Sequence, residues 1–425
     1  MGYSNNKIIV DFEPISRRVQ LSPEKTFYEI LLDTGIKIQS LCGGQGTCGK
    51  CTMKIQKGNQ FLNPPTNSEK KSIDRKKLED GWRLACQAKL DEMKKAQIEK
   101  KNAPHIRVFL SEELLVEDFK ILTHGISKQV NFSPAIHKIY LEAQEPSLVH
   151  NKADFERIIH ALLKKYPVLS KNEIPSIELD LLKNLNDQIR RNNHKLTLTF
   201  LDNKHIIDIE GGNTEESNFG IAFDIGTTTI VGYLMNLNNG KIYATASKLN
   251  PQTAYGEDLI TRISFIKEKI DGLKKLHNSV LSAVNQIISK TCKIAGIKKS
   301  NIYEATIVGN SVMHHIFLGL NPVNIGLSPY VPVVKHGINV KAQNIGLDLG
   351  KNSNVYVLPT VAGFVGADTM GVILASQIDM EDNLTLALDI GTNGELVIGN
   401  KDILITGSCA AGSALEGAHI KYGMR

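Results

Sequence analysis

Residues 41–51 read LCGGQGTCGKC, and the stretch GWRLAC ending at Cys86 adds one more thiol. Together they set the pattern C-x5-C-x2-C-x34-C over Cys42, Cys48, Cys51 and Cys86. Four thiolates in one loop and one returning strand can hold two irons bridged by two sulfides. Cluster sulfurs carry negative charge, so backbone N–H groups must turn toward them. Residues without Cβ permit that approach, and Gly43, Gly44, Gly46 and Gly49 supply it. A structural zinc site also takes four thiolates, but it usually shows two short C-x2-4-C pairs. Here one cysteine stands five residues off and the last stands 34 off.

Two decoys overlap the loop. Gly44–Gly49 spells G-x-G-x-x-G, and Gly44–Lys50 resembles the start of a P-loop. A dinucleotide fingerprint follows a strand and opens a helix, whereas this loop follows a helical stretch and enters the strand CTMKIQ. The P-loop needs Ser or Thr after its lysine, where Cys51 stands. Both readings fail. Cys292 and Cys409 stand apart from the four and read as small buried hydrophobes.

Outward from the cysteines, strand-like runs at 7–12 and 17–21 and a helix-like stretch at 26–33 precede the loop, and Cys51–Gln56 and Trp82–Ala88 follow it. A charged run from 91 to 104 closes on Pro104 and reads as a solvated linker. Beyond it, strands at His137–Glu142 and Lys195–Leu201 accompany amphipathic helices near Phe155–Lys165 and Ile177–Arg191. The polar stretch 211–218 reads as a domain boundary.

The third signal is a repeat. Asp224-Ile225-Gly226-Thr227 and Asp389-Ile390-Gly391-Thr392 carry the same tetrapeptide. Chance alone produces such a repeat easily, so the flanks decide its meaning. Each copy follows an apolar strand (FGIAF, LTLAL) and enters another (TTTIVGYLM, GELVIG), which makes each a tight hairpin. Such a turn aims amides and a hydroxyl at one point beside a carboxylate. That suits a phosphate chain with Mg²⁺, the Asp acting on the metal's water shell. Asp368 either orients water or magnesium from the helix between the two copies or caps that helix. His314 and His315 are adjacent on a helix and cannot share a face as metal ligands would.

Composition agrees with several domains. At 42% hydrophobic and 22% charged the chain is globular, and 425 residues suggest about three domains. No run of eighteen apolar residues exists, which excludes a membrane helix, and the opening lacks a secretory pattern. A net charge of +6 suits acidic protein partners and is too small to imply nucleic acid.

Residues 1–90 resemble the β-grasp ferredoxins with a 2Fe-2S cluster, the five-residue first spacing lying closer to the adrenodoxin-like branch. The DIGT architecture resembles the superfamily of acetate and sugar kinases, Hsp70 and actin, in which two subdomains clamp ATP. There Asp224, Gly226, Thr227 and Thr228 match the first phosphate loop, and Asp389, Gly391, Thr392, Asn393 and Gly394 match the second. With NPQTAYGEDLITRI from Asn250, VGNSVMHHIFLGLNP from Val308, PTVAGFVGADT from Pro359 and SCAAGSALEGAHIKYGMR from Ser408, the whole chain resembles the reductive activators of corrinoid proteins.

The resemblance implies an α+β multidomain chain. Its parts are a β-grasp ferredoxin (1–90), a linker (91–126), an α/β middle domain (127–210) and an actin-like, ribonuclease H-like ATPase domain (219–425). The ATPase domain divides into a first lobe at 219–383 and a partial second lobe at 384–425. It further implies a 2Fe-2S cluster on Cys42, Cys48, Cys51 and Cys86, ATP with Mg²⁺, and Asp224, Asp368 and Asp389 as catalytic acids. The implied work is ATP-dependent reduction of a corrinoid methyl-transfer protein from Co(II) to Co(I), in the cytoplasm and in anaerobic metabolism. The partners would be that protein and an upstream electron donor, with no nucleic acid and no membrane. The alternative is an electron-transfer protein whose nucleotide domain does not hydrolyse.

Only 33 residues run from Asn393 to Arg425, whereas a complete second subdomain takes roughly a hundred. The expectation is therefore a truncated product, a split gene with a separate C-terminal polypeptide, or a degenerate protein, and a homodimer is a further partner expectation. A helix from Ala414 would leave an apolar face open.

Overall fold

The computed structural model describes residues 9–13, 17–20, 22, 24–34, 36, 38, 40, 42–91, 105–110, 132–166, 174–256, 258–391 and 393–409. Thr392, the run 92–104 and the expected helix from Ala414 lie outside the described residues.

The first unit is a five-stranded sheet in the order β2-β1-β5-β3-β4. Its strands are β1 (Ile9–Glu13), β2 (Arg17–Gln20), β3 (Thr52–Lys57), β4 (Trp82–Leu84) and β5 (His105–Phe109). Helix α1 (Phe27–Asp33) crosses it, with Phe27, Ile30 and Leu31 buried. Thr26 starts this helix with a capping box: its side chain accepts from the Glu29 amide, and the Glu29 carboxylate accepts from the Thr26 amide. Two short helices, α2 (Asn67–Ser72) and α3 (Arg75–Glu79), lead into β4.

The expected linker needs correction here. β5 lies within 91–126, yet it pairs parallel with β1 and antiparallel with β3 at the centre of the sheet. Its alternation buries Ile106 and Val108 completely. The adjoining charged run had masked a strand only five residues long. The ferredoxin unit therefore extends to Leu110, which is also buried.

The second unit is the sheet β6-β8-β9-β7, from β6 (Ile136–Glu142), β7 (Ser176–Ile177), β8 (Lys195–Leu201) and β9 (His205–Gly211). Helices α4 (Asp154–Lys165) and α5 (Leu179–Arg191) bury Ile158, Leu162, Leu185 and Ile189 against Leu196, Leu198 and Phe200. This is the amphipathic pairing the sequence suggested.

The third unit has strand order β12-β11-β10-β13-β15-β14. The strands are β10 (Phe219–Ile225), β11 (Thr229–Asn236), β12 (Ile242–Leu249), β13 (Ile302–Val308), β14 (Ile338–Lys341) and β15 (Asn354–Val357). β10, β13 and β15 run parallel, while β11 folds back antiparallel beside β10 and β12 antiparallel beside β11. Helices α6 (Leu259–Glu268) and α7 (Gly272–Ala295) cover the sheet, α7 burying Leu276, Val280, Val284 and Ile287. Helix α8 (Ser311–Leu318) follows β13, and the single-turn α9 (Ala342–Ile345) follows β14.

Helix α10 (Ala367–Ser376) leads on to a three-stranded antiparallel sheet of β16 (Thr385–Ile390), β17 (Gly394–Gly399) and β18 (Leu404–Cys409). One face packs Val397 against Ile373 and Ile378, while Leu386, Leu388, Ile390, Ile403 and Ile405 are exposed. Cys292 is buried as expected, but Cys409 is exposed, because it ends β18 beyond the packed face. Among the described residues no helix is long and apolar enough to cross a membrane.

Candidate functional site

The cysteine loop leaves α1 and returns as β3, so two elements fix its ends. Cys51 immediately precedes β3, and its carbonyl accepts from the Ala85 amide at 2.8 Å, which clips the turn carrying Cys86 beside it. The Cys51 and Cys86 Sγ atoms lie 3.3 Å apart. Cys42 and Cys48 form the second pair. Their mutual interaction lowers the Cys42 thiol and pushes Cys48 up. Within the other pair the same interaction raises Cys51 and lowers Cys86.

Among the described residues no three ligating side chains form a group that could hold a single metal ion. Two pairs side by side fit two irons with two thiolates each. The backbone fits as well, since Gly43, Gly44, Gly46 and Gly49 all have positive φ. At Gly44, with φ of 92°, a Cβ would also stand only 3.0 Å from the Tyr28 ring.

Motif reading missed the group that holds β4 in place. Glu69 and Arg83 form a buried ion pair, Arg83 Nε donating to Glu69 Oε1 at 2.8 Å. Glu69 also accepts from the Leu84 amide at 3.0 Å and the Thr66 amide at 2.8 Å. The available signal was Thr66-x-x-Glu69, a capping-box pattern.

Both DIGT segments are antiparallel hairpins, with Ile225 opposite Ile230 and Ile390 opposite Gly394. In the first, three successive carbonyls are pinned back into the protein. Asn250 Nδ2 donates to Gly226 O at 2.8 Å, an Arg262 guanidinium nitrogen to Thr227 O at 2.5 Å, and the Asn250 amide to Thr228 O at 2.7 Å. Each N–H lies anti to the preceding carbonyl across a trans peptide, so the Thr227 and Thr228 amides point the other way. Asn310 Nδ2 additionally donates to Thr227 Oγ1 at 3.1 Å. Asn250 and Arg262 were inside the quoted NPQTAYGEDLITRI block, but only the fold shows what they hold.

Asp368 lies at the second position of α10, behind the cap residue Gly366, and its carboxylate accepts from the Thr369 amide at 2.7 Å. It thus satisfies a first-turn N–H as the capping alternative expects, from inside the helix rather than from the cap position. The first turn of α10 is anchored by the Ala367 and Asp368 amides on Gly309 O. The fold brings Asp368 toward Asp224 and Asp389 and adds Glu395, directly opposite Asp389 across β16–β17.

Asp224 is exposed and Asp368, Asp389 and Glu395 are partly exposed, but surrounding protein strips much of their hydration. Burial first, then mutual repulsion, lifts Asp224 to about 6 and Glu395 to about 7. Asp368 rises to about 6 and Asp389 also rises, burial leading in both. Like charges directly opposite on a sheet are destabilising, so this cluster is a local conflict of the kind found at sites. The four do not converge on one bare ion. His314 and His315, by contrast, are buried in α8, where the His315 ring accepts from the Val333 amide.

Comparison with known proteins gives the same order of parts. Residues 10–91 match the 2Fe-2S iron-sulfur cluster binding domain and 125–216 the RACo linker region. Residues 219–381 match the RACo middle region and 383–425 the C-terminal domain of RACo, the ASKHA domain. The corrinoid activation enzyme RamQ of Eubacterium limosum is 29% identical over 97% of this chain and 63% of its own length. A solved structure of a reductive activator for corrinoid,iron-sulfur protein superposes at TM-score 0.65, with 31% identity over 99% of this chain and 65% of that one. A component of the Na(+)-translocating NADH-quinone reductase of Chlamydia felis is 32% identical over 133 residues, which are 30% of this chain and 29% of its own length. The chain thus spans less than two thirds of the two relatives that match its whole length.

Proposed function

From a chain that belongs, by its iron–sulfur domain and its linker, middle and ASKHA regions, to the reductive activators of corrinoid proteins, we propose an ATP-coupled one-electron reductant. Its substrate is a corrinoid methyl-transfer protein resting as Co(II), which it returns to Co(I) in the cytoplasm. A bound two-iron cluster supplies the electron, and plant-type clusters sit near roughly −400 mV, so the transfer is uphill and needs coupling. Cys42 with Cys48 and Cys51 with Cys86 hold the cluster. The Thr227 and Thr228 amides, with Gly226 and the second loop at Gly391, Thr392, Asn393 and Gly394, hold phosphate oxygens. Asp224, Asp368 and Asp389 orient the water shell of Mg²⁺.

The observation that carries this reading is the conjunction in one chain. Paired thiols share the chain with two hairpins and a self-repelling carboxylate cluster. An electron carrier alone has no use for that cluster. The middle unit ties the parts together: Lys138 on β6 donates to Tyr303 Oη at 2.9 Å and to Ser217 O at 3.2 Å, and Tyr303 donates to Glu210 at 2.8 Å. This joint seats the middle sheet on the edge of the nucleotide lobe.

The direct test adds purified protein, MgATP and a chemical reductant to a Co(II) corrinoid protein and follows the cobalt absorbance. Appearance of the Co(I) band only with ATP is expected. Equal rates with and without ATP would leave the simple electron-carrier reading.

A further inference from the structure

The cluster loop does not stand free. A Cβ at Gly43 would overlap the Tyr255 carbonyl oxygen, with the Tyr255 carbonyl carbon 2.6 Å away and the Gly256 nitrogen 3.3 Å away. Two residues on, Gln45 Nε2 approaches Glu268 Oε2 at 3.4 Å, at the end of α6. Thus the residue directly after Cys42 is seated on the turn Tyr255–Gly256 of the nucleotide lobe. The Tyr255 ring packs on Phe265 of α6 at 5.0 Å, which keeps that turn and α6 moving as one piece.

The same turn is connected to the first phosphate loop. Arg262, completely buried, donates through Nε to Gly256 O at 2.9 Å. Its other nitrogens reach Gln252 Oε1 at 3.1 Å and Thr227 O at 2.5 Å. Asn250 opens this segment and holds Gly226 O and Thr228 O. A rigid guanidinium that bridges Thr227 O and Gly256 O transmits displacement between them, because its fork cannot keep both bonds if one carbonyl turns.

We infer that the cluster loop docks in cis on Tyr255–Gly256 and Glu268, and that nucleotide at Gly226–Thr228 releases it through Arg262. Phosphate draws the Thr227 and Thr228 amides toward itself and rotates their peptide planes. That rotation swings Thr227 O off the guanidinium, so Arg262 and the Gly256 carbonyl it holds shift beneath Gly43. A redox partner approaching Cys42 from the Gly43–Gln45 side meets this same surface. The lobe and the partner therefore compete for one face. This inference rests on the nucleotide reading proposed above and adds how that site governs access to the cluster.

The test is amide hydrogen exchange on the cluster-loaded full chain, with Mg–AMP-PNP as probe and its binding measured separately by calorimetry. Exchange in peptides covering 42–50 should rise on saturation by about tenfold or more, since a docked loop opens only through local unfolding. Glu268→Ala, which removes the exposed contact to Gln45, should raise exchange at 42–50 without nucleotide and, by reciprocity, tighten AMP-PNP binding. Arg262→Lys should bind AMP-PNP yet show no rise at 42–50. Binding with no change at 42–50 in the native protein overturns the coupling. No effect of Glu268→Ala overturns the docking, even if Arg262→Lys fails to fold. Absence of AMP-PNP binding in calorimetry overturns the nucleotide reading itself and the coupling with it.

Discussion

Replacing Glu69 with alanine should unseat the strand that delivers Cys86. The Glu69 carboxylate is fully buried and accepts four hydrogen bonds, two from the Arg83 guanidinium (2.8 and 3.0 Å) and two from the Leu84 and Thr66 amides. Removing it strands a buried guanidinium and unpairs both amides. Breaking one side of such a pair costs about 3–5 kcal/mol. A domain of roughly one hundred residues has about 5–15 kcal/mol in total, so about a fifth or more of its stability depends on this carboxylate. With a urea slope of about 2 kcal/mol per molar, the midpoint should fall by about 2 M.

Trp82 is the only tryptophan in the chain and the neighbour of Arg83, so its fluorescence reports this unit alone. Visible absorbance of the cluster should be lost over the same urea range, because Cys86 lies two residues beyond β4. Asp80→Ala, which breaks the exposed pair Lys54–Asp80 (2.8 Å), should barely move the midpoint. Glu69→Leu combined with Arg83→Met should recover much of the loss, since no charge is then left buried without a partner. A midpoint shift for Glu69→Ala no larger than that for Asp80→Ala would refute the reasoning.

Magnesium binding should release protons. Asp224 and Asp368 at about 6 and Glu395 at about 7 are partly protonated at pH 6, and a dication favours their charged forms. Calorimetry of Mg–nucleotide in buffers of different ionisation enthalpy should show proton release at pH 6 and almost none at pH 8. The sign for stability is the reverse of an ordinary ion-paired acid. The folded state binds more protons than the unfolded one between about pH 4 and 7, so without metal these groups make stability fall as pH rises through that window. Thermal melts should therefore show a flatter slope in Glu395→Gln, and Mg²⁺ should flatten the native slope. Asp224→Ala should abolish ATP hydrolysis while leaving the visible spectrum of the cluster unchanged; an unchanged hydrolysis rate would count against the nucleotide reading. Cys86→Ser should lower iron and sulfide content, whereas Cys292→Ser, in the core of another unit, should not. Tyr303→Phe removes the hydroxyl that bonds both Lys138 and Glu210 and should cost about 1–3 kcal/mol in the third unit, read by its thermal midpoint.

Sequence alone determined the elements whose signals are local. The spacing of Cys42, Cys48 and Cys51 dictates a shared loop, since a chain turning within ten residues has few ways to present three thiols. Alternation in FGIAFDI and TIVGYLMN forces a hairpin around Gly226, because period-two burial suits a strand and no helix. Helices α4 and α5 were legible from their apolar stripes.

Tertiary structure decided everything that depends on distance across the chain. The five-residue strand at His105–Phe109 is too short to announce itself beside a charged run, and only its partners β1 and β3 make it central. Glu69 and Arg83 read as surface charges until the fold buries them together. Asp224, Asp368, Asp389 and Glu395 acquire their raised pKa values only where the fold removes water and sets like charges near one another. The seating of Gly43 on Tyr255, more than two hundred residues away, follows no pattern in the chain. Contacts of that kind arise from how surfaces meet after each unit has folded, and periodicity carries no record of them.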